Sequence, residues 1–186
     1  MEMTPILRGP ALLLRPPRET DKADRQKCVR IPEEFRMYGI DSEDRDAILI
    51  ETSDAWYDKY SGQPFHWVIE LDGICIGTTR LSEIDPDSKN ARFSIGIFDS
   101  RFWNRGLGSE ATLLVAKYAF EAANLHRLEL RVLDLNERAI ACYSRCGFKK
   151  EGVVREAAYL DGVWHNDIVM SLLKKNTRVP LQEWTG

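Results

Sequence analysis

The sequence predicts a mixed α/β domain, on three observations. Two strand-like runs, His66–Leu71 and 74–81, flank Asp72-Gly73, the dipeptide that most strongly favours a two-residue hairpin. From Leu107, the apolar residues Leu107, Ala111, Leu114, Val115, Tyr118 and Ala122 recur at helical spacing, with Lys117 and Glu121 on the opposite side. Strand-like and helix-like runs then alternate to the C-terminal end, giving the order β-α-α-β-β-β-α-β-α-β-β. With 186 residues, 44% hydrophobic and 30% charged, the chain has enough apolar material for one domain with a full core. That domain is expected over 1–173, with 174–186 as a tail, Trp184 near its end, that is either loose or an interface element.

The elements follow in order. Residues 11–15 read as a first strand, ended by Pro16-Pro17. Helical stretches near 20–29 and 44–60 follow, separated by an irregular segment at 32–39. A second hairpin links Leu81 to Ala91 through Asp85-Pro86-Asp87-Ser88. In the strand at 91–98, Ala91, Phe93, Ile95 and Ile97 alternate with Arg92, Ser94 and Gly96. A glycine in mid-strand marks either a bulge or a site packed closely under a neighbouring ring. Arg127–Leu133 is a strand, 136–146 a helix, and 148–155 and Val163–Leu173 are the closing strands, with Asp161-Gly162 as the turn before the last.

Composition narrows the function classes. A formal net charge of −3 implies no general affinity for nucleic acid, and a mildly acidic surface suits a cationic substrate. No apolar run approaches the roughly 18 residues of a membrane span, and no signal-peptide pattern is present, so a soluble, cytoplasmic protein is expected. Cys28, Cys75, Cys142 and Cys146 form no paired CxxC motifs and read as buried or half-buried thiols. His66, His126 and His165 lack ligand spacing, so no metal is expected.

The chemistry concentrates in Trp103-Asn104-Arg105-Gly106-Leu107-Gly108, a glycine-punctuated turn between a strand and the long helix. Such a turn directs unpaired backbone N–H groups, at the positive end of a helix dipole, toward an anion such as a pyrophosphate. A short Gly-x-Gly alone also fits a plain tight turn. About thirty residues on come Asn136, Tyr143 and Gly147-Phe148, followed by Glu151-Gly152. Together the two segments resemble the GNAT N-acetyltransferases. Phe102 to Ala111, Asn124-Leu125-His126-Arg127-Leu128 and Tyr159-Leu160-Asp161-Gly162-Val163-Trp164 are similar to the branch that acetylates ribosomal-protein N-termini and polyamines, the RimJ/RimL-like enzymes. The resemblance is sharp from 74 to 173 and fainter from 11 to 65. Where the general family pattern has Gln or Arg three residues before the first glycine, this chain has Trp103.

The resemblance implies a GNAT fold: a mixed, mostly antiparallel sheet of six to seven strands with a bulged central strand and about four helices. It also implies acetyl-CoA as co-substrate and a primary amine as acceptor, a protein N-terminus or a small amine such as a polyamine, and it is compatible with a homodimer. Arg105, Gly106, Leu107, Gly108 and Ser109 would hold the pyrophosphate, and Glu110 is expected to point away as a capping or solvated residue. Asn136, an N-cap by its position, would also touch the CoA arm. Backbone groups of Ile97 and Phe98 would face the pantetheine and supply an oxyanion donor. Tyr143, seven residues and two helical turns from Asn136, faces the same way. It is either a core aromatic or, by resemblance, the general acid to the departing thiolate.

A base for the amine is sought among Glu83, Asp85, Glu156 and His165, with Glu83 ranked first and Glu156 second. Some ribosomal-protein relatives carry Glu where this chain has Ala158. Trp56, Tyr57 and Tyr60 form either an aromatic substrate wall or core. Direct attack in a ternary complex is expected over an acetyl-cysteine route through Cys142 or Cys146. The rival of another class is a non-catalytic acyl-CoA-binding module. A Rossmann-type dinucleotide binder would need a third glycine and an acidic residue that are missing here.

Overall fold

The computed structural model describes residues 4–29, 31–40 and 53–177. The first part of the helix expected near 44–60, and Trp184, lie outside the described residues. Eight strands form one sheet: β1 (Leu7–Arg8), β2 (Leu12–Arg15), β3 (His66–Leu71), β4 (Ile74–Asp85), β5 (Asn90–Ile97), β6 (Arg127–Leu133), β7 (Lys149–Leu160) and β8 (Val163–Leu173). Their spatial order is β1-β2-β3-β4-β5-β6-β8-β7. Every neighbouring pair is antiparallel except β5–β6. The eighth strand, beyond the six to seven expected, is the two-residue β1, too short to leave a periodic signal.

Five α-helices are described: α1 (Asp21–Gln26), α2 (Pro32–Met37), α3 (Ser53–Tyr60), α4 (Leu107–Glu121) and α5 (Glu137–Arg145). Helix α2 corrects the expectation of an irregular segment at 32–39. Proline has no N–H to leave unpaired and a preset φ, so at the first position it starts a helix rather than breaking one. The Asp72-Gly73 hairpin forms as read, with φ of 50° and 82°, the pair of positive values a type I′ turn requires.

The core lies between the sheet and α4. Trp67, Ile69, Ile76, Val115, Ala116, Leu128 and Leu172 are fully shielded there. Helix α1 is tied to the sheet by a buried ion pair, in which Arg15 donates from both terminal nitrogens to Asp21 at 2.8 and 2.6 Å and from Nε to Glu70.

Two irregularities position the site. Strand β4 carries an extra residue opposite β3 near Ile76 and a second irregularity opposite β5 near Glu83. Of the strands paired at β5, β4 carries the bulges, and the ladder passes Gly96 of β5 without interruption. Gly96 instead takes the other role open to it: a Cβ there would collide with the Tyr38 hydroxyl and lie 3.2 Å from Cζ of that ring. Beside the irregular β4 lies a splay. Strands β5 and β6 pair only over Asn90–Arg92 against Arg127–Glu129, so the rest of β5 faces an opening on that side.

Candidate active site

The opening between β5 and β6 is bordered by the N-terminus of α4, by α5 and by the end of α2. Gly106 is the N-cap of α4, at φ 82° and ψ −11°. A left-handed residue at this point lets the chain turn sharply from Arg105 into the helix, a conformation glycine adopts without a Cβ penalty. The N–H groups of Ser109 and Glu110 bond back to the Gly106 carbonyl at 3.0 Å each. Those of Gly106, Leu107 and Gly108 find no acceptor among the described residues, as the first turn of a helix leaves them. Glu110 points away from this point, its Oε1 accepting from the N–H groups of Ala11 and Leu12 at 2.8 and 2.9 Å. Its charge therefore ties β2 to α4 and leaves the helix terminus electropositive.

The turn lines a cavity of about 140 Å³ together with Ile97, Asn136 and Tyr143. Arg105, Arg138 and Arg145 line it too, and no carboxylate does among the described residues. Cations and open helix-terminal N–H groups fit a pyrophosphate-bearing arm. Trp103 closes one side: its Nε1 donates to the Ile97 carbonyl at 3.1 Å, and the Arg138 guanidinium stacks over its ring, 3.4 Å from the centroid.

Backbone orientation along β5 separates Ile97 from Phe98. The Phe98 N–H donates to the Ile76 carbonyl at 2.9 Å, and the Ser94 carbonyl accepts from Thr79 Oγ1. Backbone groups of Ser94, Gly96 and Phe98 thus turn toward β4, and those of Ile95 and Ile97 turn into the splay. Phe98, expected beside Ile97 as a backbone donor, has its N–H engaged in the sheet. Its side chain is buried and meets Trp56 edge-on, with centroids 6.2 Å apart.

Helix α5 is capped as its sequence reads, Asn136 Oδ1 accepting from the Ala139 N–H at 3.1 Å. Two turns on, the Tyr143 ring is buried against Phe93, edge-on at 6.4 Å, and Phe148 at 5.9 Å. Burial pushes the phenol above its ordinary pKa, and the neighbouring Cys142 adds to the rise, so its proton stays on. Cys142 lies nearer the turn, its Sγ 3.3 Å from Ser109 Oγ. Hydrogen bonding from Cys146 draws the Cys142 thiol below the usual range.

A second and larger cavity, about 1010 Å³, lies beyond Tyr38, Gly96, Asn136 and Tyr143, which border both spaces. Trp56, Tyr60 and His66 wall it on the α3 side, whereas Tyr57 packs into the small cluster below with Lys22 over its ring. Neither carboxylate ranked as base lines either cavity. Glu83 is exposed and pairs with Arg92 at 2.6 Å. Glu156 is exposed on β7, its N–H donating to Asn166, and its neighbours Ala157 and Ala158 line the wall instead. Asp85 and His165 are likewise absent from both linings. The carboxylate that does line the second cavity, alone among the described residues, is Asp167 on β8. Sequence reading passed over it, along with Tyr38 and Arg138. Asp167 sits in an alternating strand with no motif signal, and Tyr38 closes a segment read as irregular.

Comparison with known proteins agrees with this architecture. The acetyltransferase (GNAT) domain family matches residues 11–149. Spermidine N(1)-acetyltransferase of Escherichia coli K12 is 33% identical over 128 residues, 68% of each chain. The ribosomal protein uS5-alanine N-acetyltransferase of the same organism is 25% identical over 97 residues, 52% of this chain and 50% of that one. Among solved structures, Mycobacterium smegmatis RimJ in complex with CoA-disulfide superposes with a TM-score of 0.75 at 22% identity, covering 94% of this chain and 88% of that one.

Proposed function

The chain belongs to the GNAT acetyltransferase family, and from that premise we propose that it moves the acetyl group of acetyl-CoA onto a primary amine by direct attack in a ternary complex. The observation that carries this reading is the meeting of the two cavities at Tyr143: one runs back to the open turn of α4, the other to the aromatic wall of α3. In this reading the N–H groups of Gly106, Leu107 and Gly108, with Ser109 beside them, receive the pyrophosphate, and Arg105 and Arg138 neutralise it. The splay side of β5 pairs with the pantetheine, and the Ile97 N–H lies on the side where the thioester oxygen gains charge. Asn136 borders the junction.

The amine nitrogen forms a bond to the thioester carbonyl carbon, the C–S bond breaks, and the CoA thiolate takes a proton from the Tyr143 hydroxyl. Asp167, through water, accepts the proton the amine loses. Cys142 borders the first cavity only, so the acceptor is read as meeting the thioester without an acetyl-cysteine.

The first acceptor read is a protein N-terminus; one relative is named for acetylating an alanine of ribosomal protein uS5. A small polyamine is the second, as the name of the spermidine enzyme states for that relative. The place of action read with either is the cytoplasm; no helix among the described residues is long and apolar enough to cross a membrane. The test is thiol release from acetyl-CoA across N-terminal peptides, amino acids and polyamines, with CoA affinity measured by calorimetry. Amine-dependent release is the expected result. CoA binding with no release on any amine would favour an acyl-CoA-binding module.

A further inference from the structure

The charge around the second cavity does not match a polycation. Among the described residues its walls carry Arg80 and Arg131, neither in an ion pair with a described residue, against one carboxylate, Asp167, in a chain whose formal net charge is −3. Arg25 and Lys59, also in the lining, are engaged over aromatic rings. The excess is therefore local, a product of placement rather than composition. A polyamine entering such a space meets like charge, whereas an anionic group is attracted and held.

One wall is built for that purpose. His66 is 4% exposed, and its Nε2 is buried with no hydrogen-bond partner. Buried polar atoms are nearly always satisfied, so an orphan beside a cavity points to a group supplied from outside. Tyr60 stacks on the imidazole, centroids 4.3 Å apart and planes 9° from parallel, and holds its orientation. The register partner of His66 across the β3–β4 ladder is Arg80. Cross-strand partners project from one face of a sheet. Arg80 Nε donates to Ser94 Oγ at 3.0 Å, which fixes the guanidinium plane. Its terminal nitrogens have no hydrogen bond among the described residues. A fixed guanidinium beside an imidazole N–H is a donor set for a carboxylate or phosphate. Arg131 of β6 lines the same cavity from across the splay.

We propose that the acceptor is a primary amine carrying an anionic group, a carboxylate or phosphate, close to its nitrogen, and that Arg80 and His66 receive that group with Arg131 opposite. The proposal rests on the acetyltransferase reading above and narrows it, away from polyamines. Free amino acids and peptide N-termini followed by Asp or Glu share this chemistry.

The test measures kcat/KM for thiol release by the full chain at saturating acetyl-CoA. Its arms are glutamate, phosphoethanolamine, spermidine, and three peptides that differ only in Glu, Gln or Lys at the second position. The anionic acceptors are expected to exceed their cationic counterparts by about tenfold or more at low salt, with the gap closing as salt is added. Arg80→Glu and Arg131→Glu should reverse the order while CoA affinity, read by calorimetry, holds. If Arg80→Glu does not fold, Arg80→Gln should abolish the preference. Glutamate against the Glu peptide separates a free amino acid from a chain terminus. Preference for spermidine or the Lys peptide would overturn the proposal. An order untouched by the charge reversals would also overturn it. Release with no amine at all would instead defeat the acetyltransferase reading itself.

Discussion

Replacing Tyr143 with Phe removes one oxygen from the point where the two cavities meet and leaves the ring in place. The ring keeps its edge-on contact with Phe93 at 6.4 Å and its contact with Phe148 at 5.9 Å, so packing survives. The Tyr143 hydroxyl has no hydrogen bond to any described residue. Stability should therefore move by less than about 1 kcal/mol, roughly 2–4 °C in Tm for a chain of this size. A positioned general acid is worth about 10²–10⁴ in rate, or roughly 3–5 kcal/mol at 1.36 kcal/mol per decade. The expected outcome is a fall in kcat within that range, with CoA affinity unchanged. Because burial raises the phenol, the proton is present throughout the neutral range, and the wild-type rate should show no loss assignable to Tyr143 until well into alkaline pH. The assay pairs thiol-release kinetics at saturating acceptor with calorimetry for CoA and a thermal melt. A kcat within about threefold of wild type would remove Tyr143 from proton transfer, since a general acid contributes at least about a hundredfold. A melt lowered by about 10 °C would assign the loss to packing.

Three further outcomes follow from the same geometry. Arg15→Met leaves Asp21 fully buried without its partner and should destabilise by about 3–5 kcal/mol, with Arg15→Met/Asp21→Leu recovering much of that in urea denaturation. Gly77→Ala and Gly96→Ala should part company. A Cβ at Gly77 meets the backbone of β5, with Ile97 Cα at 2.9 Å, and cannot be accommodated without moving the strand; one at Gly96 meets the Tyr38 side chain, which can swing away. Thermal melts should show the larger loss for Gly77→Ala, and kinetics should show a raised acceptor KM for Gly96→Ala with little loss of stability. The third outcome concerns pH. Burial, helped by Arg80, lowers the His66 pKa to about 4 from an ordinary 6.5. The unfolded chain then binds the extra proton between those values, so stability falls as pH drops from about 6.5 toward 4 and returns as pH rises. His66→Gln should flatten that part of a Tm-against-pH curve; an unchanged slope would remove His66 as its source.

The amino-acid order by itself determined the local elements and the motif that marks the family. Asp72-Gly73 specified a hairpin because few dipeptides tolerate two positive φ values in succession. Gly106, Asn136 and Tyr143 could be read because their chemistry acts over one or two helical turns: a turn, a cap, a shared face. The base candidates and the acceptor wall were not legible in that way. Glu83 and Glu156 stand near strand ends in the sequence, yet the sheet directs Glu83 to Arg92 and leaves Glu156 exposed. Asp167 reaches the cavity only because β8 pairs with both β6 and β7. Whether the N–H of Ile97 or of Phe98 faces the splay is a matter of ladder parity, which no single strand reveals. His66 and Arg80 meet across a ladder whose register follows from the Ile76 bulge and the turn beyond it. Local sequence settles what a few neighbouring backbone groups can do, and tertiary structure decides which distant side chains share one pocket, because that depends on register and splay summed over the whole sheet.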